Sequence, residues 1–92
     1  MYEEILQSVI EYWKKEIKEE EVQVLPESNL MDDLSLSSME MLKALLVLES
    51  KYGINIPEKC LRKMMTIQDV AAVITDIAKK KQTDANGAGN RG

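Results

Sequence analysis

The sequence predicts an all-α fold: a small antiparallel four-helix bundle with a short third helix and a long loop between helices one and two. Three observations carry this expectation. Apolar residues recur at spacings of three and four in three separate segments, as they do on helices that bury one stripe. Gly53 and Pro57 stand where one helix must stop and another begin. The chain has 92 residues, 45% of them apolar and 30% charged, which suits one globular domain and leaves no room for a second.

The first helix is expected from Tyr2 to about Glu20, where Ile5, Leu6, Val9, Tyr12, Trp13 and Ile17 alternate with Glu and Lys. The period is lost in EEVQVLPESNLMDD. Pro26, Ser28 and Asn29 mark this segment as loop, with Val22, Val24, Leu25 and Leu30 expected to tack it to the core. The second helix follows a stripe through Leu42, Leu45, Leu48 and Tyr52, and Gly53 can take the positive φ of its C-cap. INIP is extended, with Ile54 and Ile56 inward. Glu58 to about Met64 forms the short third helix. Thr66-Ile67-Gln68-Asp69 has the form of a capping box and opens the fourth helix, which continues through Val70, Ala71, Ile74 and Ile77. Lys79, Lys80 and Lys81 suit the negative end of that helix. The folded domain is expected over 1–82. After Gln82 the composition turns to Asn, Gly and Ala, the signature of a flexible C-terminal tail over 83–92.

Charge and composition remove several function classes. A net charge of -4 repels phosphate backbones and anionic lipid, so neither nucleic acid nor membrane is an expected partner. Histidine is absent and Cys60 is alone. The usual general base, the serine–histidine pair, most zinc sites and an internal disulfide go with them, so no catalytic residue and no metal site is expected. Asp32 beside Asp33 can be read as an acid pair, but solvated loop charge accounts for it as well. No apolar run approaches the roughly 18 to 20 residues of a membrane span, and MYEEILQS is acidic where a secretory signal would be basic. The expected location is the cytoplasm.

LSLSSME, residues 34 to 40, carries the one candidate site. Ser37-Ser38-Met39-Glu40 is a capping box in which Ser37 serves as the cap. Ser38 then falls at the first helical position. Its hydroxyl points outward, in the positive field of unpaired backbone N–H groups that favours an attached anion. Serines near helix starts are common, so capping chemistry alone leaves the purely structural reading open.

LMDDLSLSSMEMLKALLVLESKYGINIP resembles the centre of the acyl carrier protein family. Asp33-Leu34 lies just ahead of the modified serine, which aligns with Ser38. The family's aromatic at the end of the second helix meets Tyr52, its Ile-Pro meets Ile56-Pro57, and its fourth-helix opening resembles Thr66 to Asp69. These markers stay in register over roughly 75 residues. The resemblance implies a phosphopantetheine arm, donated by coenzyme A to Ser38, that carries acyl groups as thioesters in fatty acid, polyketide or related biosynthesis. It implies a carrier, not an enzyme. Magnesium enters only through the phosphopantetheinyl transferase that installs the arm. The other implied partners are acyl-loading ligases or synthases, and the carrier is expected to be a monomer. The alternatives are an aminoacyl or peptidyl carrier, or a small helical interaction module without a prosthetic group.

Two departures from the family bear on partners. The family commonly has Asp-Ser-Leu at the modification site, where this chain has Ser37-Ser38-Met39. The family's second helix is also strongly acidic, whereas here Lys43 and Lys51 dilute Glu40 and Glu49. The expected partner surface is Asp33, Met39, Glu40, Met41, Lys43 and Val47, less electrostatic and more apolar than the family's. The competing reading has Met41, Val47 and Leu46 widening the buried face. A long acyl chain folding back between the helices would meet Leu42, Leu45, Leu48 and Met64. A filled interior would instead suit a short or polar cargo.

Overall fold

A computed structural model of the chain describes residues 1–18 and 21–91, with side chains through Lys81. The tail expected at 83–92 lies outside the residues whose side chains are described. Among the described residues there are four helices and no strand: α1 (Tyr2–Glu16), α2 (Ser38–Tyr52), α3 (Glu58–Leu61) and α4 (Ile67–Arg91). No helix among them is long and apolar enough to cross a membrane.

α1 buries Ile5, Val9, Ile10 and Trp13, each worth roughly 1.5–3 kcal/mol when fully removed from water. It stops at Ile17 rather than near Glu20. Ile17 turns to extended backbone (φ -90°, ψ 108°) while its N–H still donates to the Trp13 carbonyl. An acidic run follows in the sequence, and carboxylates oppose the negative end of a helix; Lys14 and Lys15 supply the favourable last turn. α1 packs most closely on α4, where Ile67, Val70, Ala71 and Ile74 are fully buried. The first turns of α1 lie beside the last turns of α2 and beside Ala78 and Lys81, so α1 runs antiparallel to both α2 and α4.

The long loop is fastened to the start of α4. Leu30 N–H donates to the Met65 carbonyl at 2.9 Å, Ile67 N–H to the Ser28 carbonyl at 3.1 Å, and Gln68 N–H to the Pro26 carbonyl at 2.8 Å. Thr66 Oγ1 accepts from Asp69 N–H, and Asp69 Oδ2 accepts from Thr66 N–H, as the capping box requires. Every first-turn amide of α4 therefore has a partner. Val24, Leu30, Leu34 and Leu36 seat the loop in the core; Leu25, expected there as well, is exposed. Buried Ser28 accounts for that reversal, since its Oγ accepts from Leu25 N–H at 2.9 Å and fixes the backbone there in a tight turn.

α2 ends as expected. Gly53 adopts φ 62° and ψ 41°, and its N–H donates to the Glu49 carbonyl. Lys81 Nζ donates to the Gly53 carbonyl, placing a cation at the negative end of α2. Ile54 is buried and Ile56 half-buried. α3 is one turn long and ends at Leu61, short of Met64; Lys63 and Met64 N–H groups donate to carbonyls three residues back, so the chain continues in tight turns.

Candidate functional site

The start of α2 is built from the reciprocal pair that the sequence encodes. Ser37 Oγ accepts from Glu40 N–H at 3.2 Å, and Glu40 Oε1 accepts from Ser37 N–H at 3.0 Å. Hydrogen bonding from Ser37, through its amide first and its side chain second, holds the Glu40 carboxyl below its ordinary value; Lys43 adds a smaller pull in the same direction. Met41 N–H goes to the Ser37 carbonyl. The amides of Ser38 and Met39 have no partner among the described residues, and Ser38 itself is exposed. The contrast with α4 is physical. The loop closes the first turn of α4, whereas in the first turn of α2 the Glu40 carboxylate answers only the Ser37 amide, and those of Ser38 and Met39 are left without a partner among the described residues.

The approach to Ser38 is held by local hydrogen bonds. Asn29 Oδ1 accepts from the amides of Met31 and Asp32 at 2.9 and 2.8 Å, and Asp33 Oδ2 accepts from Asn29 N–H at 2.7 Å. Asp33, expected to face partners, thus also has a structural task in the loop. Ser35 takes a left-handed backbone (φ 54°), a conformation that costs a non-glycine residue about 1 kcal/mol. That turn lies between Leu34 and Leu36, both of which bury their side chains. No sequence signal marked Ser35.

The outer face of α2 differs from the sequence expectation in phase. Leu42 is 47% exposed, while Met41 is half-buried and packs against the core with Ala44, Leu45 and Leu48. The placement of Met41 outward and Leu42 inward is therefore corrected. At 100° per residue, Met41 lies between Leu45 and Leu48 on the buried side, and Leu42 rotates past its edge. Met39 is 76%, Leu46 66% and Val47 42% exposed, so these three do not widen the buried face. Lys43 reaches Glu16 of α1 at 3.8 Å in a solvent-exposed pair. Glu49 faces inward, its Oε2 accepting from Ile56 N–H at 2.6 Å. The arrangement brings Ser38, Met39 and Glu40 together, sets Lys43 and Val47 one and two turns further on, and draws Met41 away.

Two clefts, of about 660 and 690 Å³, lie at the opposite end of α2. Tyr52, Ile54, Ile5 and Lys81 line the first, and Leu46, Gly53, Ile54 and Ile77 the second. Neither includes Leu45, Leu48 or Met64, which are buried and in the packed core. Of the proposed cargo-lining residues, Leu42 is the one outside that core. No group of three or more metal-ligating side chains occurs among the described residues.

The bundle thus exposes Ser38 at the start of α2, with the neighbouring Ser37 committed to the cap. No family model matches the chain. The meromycolate extension acyl carrier protein of Mycobacterium tuberculosis is 31% identical over 78 residues, covering 85% of this chain and 68% of that protein. An acyl carrier protein of Helicobacter pylori is 32% identical over 73 residues, covering 79% and 90%, and one of Myxococcus xanthus is 32% identical over 72 residues, covering 78% and 91%. The chain belongs to the acyl carrier protein family. It is a carrier and not an enzyme, and membership implies a phosphopantetheine prosthetic group and interaction with biosynthetic enzymes.

Proposed function

We propose that the carrier domain spans 1–82 and bears its phosphopantetheine arm on Ser38 Oγ. The observation that carries this reading is the open first turn of α2: Ser38 is exposed, its own amide and that of Met39 are unpartnered among the described residues, and Ser37 is already used as the cap. A phosphodiester at Ser38 would sit in the positive field of those amides. The residues present fit the group, since among the described residues none bonds the hydroxyl and Glu40 is tied to Ser37.

Arm transfer is the work of a separate, magnesium-dependent phosphopantetheinyl transferase, with coenzyme A as donor; the pyrophosphate bond of coenzyme A breaks, Ser38 Oγ gives up its proton and takes the phosphopantetheinyl group, and adenosine 3′,5′-bisphosphate leaves. The arm's terminal thiol then supplies the thioester linkage. This chain's part is to hold the serine at a rigid helix start, through the capping box and the fastened loop. Acyl-loading ligases or synthases acting on the loaded arm would meet Met39, Glu40, Lys43 and Val47 beside it. Fatty acid or related biosynthesis is the pathway class, the protein is a monomer, and the cytoplasm is its location.

The test is labelling with a fluorescent coenzyme A analogue and a transferase of broad carrier tolerance. A labelled wild-type chain supports the reading. An unlabelled chain under conditions that label other carriers favours an interaction module without an arm.

A further inference from the structure

We infer that the face formed by Lys59, Arg62 and Lys63, at α3 and the turns after it, is a docking surface for a protein that presents an acidic, amphipathic segment. The inference goes beyond the carrier reading and does not depend on Ser38. The three cations are spaced i, i+3 and i+4, and the chain keeps a helical course between them. α3 runs to Leu61, and the N–H groups of Lys63 and Met64 then donate to the carbonyls of Cys60 and Leu61. Lys59, Arg62 and Lys63 therefore share one side, within about 6–8 Å along the axis. All three are exposed, while Cys60 and Leu61 are half-buried and Met64 is buried.

Stability gives these cations no task. Lys14 and Lys15 occupy the last turn of α1, Lys43 pairs with Glu16, and Lys81 Nζ donates to the Gly53 carbonyl. Among the described residues no ion pair includes Lys59, Arg62 or Lys63, and a one-turn helix has little dipole for them to answer. The neighbouring carboxylates are mostly engaged elsewhere. Asp69 Oδ2 accepts from the amides of Met65 and Thr66 at 3.1 and 3.0 Å, Asp33 Oδ2 from Asn29 N–H, and Glu49 Oε2 from Ile56 N–H. Glu58 on α3 and Asp32 in the loop remain, against three cations, in a chain whose net charge is -4.

That overall acidity selects the occupant. A nucleic acid or an anionic membrane extends beyond the patch and would meet the net negative surface around it, whereas a short cluster of carboxylates would not. The patch is also partly apolar. Met65, 61% exposed, closes the segment, and Met31, 53% exposed, follows Leu30, whose N–H donates to the Met65 carbonyl. Adaptable thioether side chains beside cations suit a segment that mixes apolar residues with Asp and Glu. A bare phosphate would leave them uncovered.

The experiment follows amide chemical shifts of the isotope-labelled full chain during titration with a synthetic peptide rich in glutamate and leucine. Its counterpart with glutamine for glutamate, inorganic phosphate and a DNA duplex are the comparison ligands. The acidic peptide is expected to bind with a Kd below about 1 mM and to move the amides of residues 59–65 most. Raising NaCl from about 0.05 to 0.3 M should raise Kd about tenfold, as should the double change Arg62→Glu and Lys63→Glu, with the circular dichroism spectrum unchanged. No binding, largest shifts at Lys14 and Lys15 or at residues 79–81, or equal binding by the glutamine peptide or by the double variant overturns the inference. Phosphate or the duplex moving the same amides at equal or lower concentration makes this a general anion site and overturns a protein partner. Sedimentation supplies the last outcome: a wild-type dimer that the double variant dissociates would assign the face to a second copy and overturn the inference.

Discussion

Ser37 and Glu40 exchange hydrogen bonds in both directions, 3.2 Å from Glu40 N–H to Ser37 Oγ and 3.0 Å from Ser37 N–H to Glu40 Oε1, and Ser38 lies between them, exposed and with no partner for its hydroxyl among the described residues. The two serines that open this helix are therefore unequal. One is consumed in making the helix start, and its neighbour is presented by it.

Ser37→Ala removes the cap and is expected to cost about 1 kcal/mol, read from the urea midpoint at pH 7. Ser37→Asp, which restores an acceptor, should recover most of the loss.

The Glu40 half of the pair makes stability depend on pH with a definite sign. Its carboxyl is held below the ordinary value of 4.5 in the folded protein, so the unfolded chain binds the proton more readily. The contribution is complete above about pH 4.5 and is lost as pH falls through the lower folded value. Urea titrations of wild type and Glu40→Gln at pH 7 and pH 3 should show the variant less stable at the higher pH and the gap narrowing at the lower. A gap that widens toward acid would contradict this assignment.

Leucines 42 and 45 separate core from surface on α2. Leu45→Ala, at a position 5% exposed, should destabilise by about 2–5 kcal/mol, whereas Leu42→Ala should remain within about 1 kcal/mol of wild type. Equal losses in the two variants would return Leu42 to the core.

Glu49 holds the extended segment after α2 by accepting from Ile56 N–H. Glu49→Ala leaves that amide without its charged acceptor and should cost about 1.5–3 kcal/mol. Amide exchange at Ile56 is the direct reading, with faster exchange expected in the variant.

Much of this architecture was legible because local chemistry dictates it. Ser37 with Glu40, Thr66 with Asp69 and Gly53 at the end of α2 need only their own neighbours to act, and each does what its residue type favours. What escaped the sequence depends on rotation or on distant partners. MEMLKALLVL is apolar on nearly every side, so spacing alone left the phase of α2 open and exchanged Met41 with Leu42. Glu49 reads as a surface charge until the chain reverses after Gly53 and brings Ile56 N–H to it. Pro26 and Ser28 read as loop, but only folding shows their carbonyls closing the first turn of α4 and so distinguishing it from the open first turn of α2.

The central claim is tested most directly by intact mass followed by fragment mapping, after incubation with coenzyme A, magnesium and a broadly tolerant transferase. The wild-type and Ser37→Ala chains should each gain a single phosphopantetheine, on the fragment ion that contains Ser38, and Ser38→Ala should gain none. A modified Ser38→Ala chain, or an arm mapped to Ser35 or Ser37, would contradict the account.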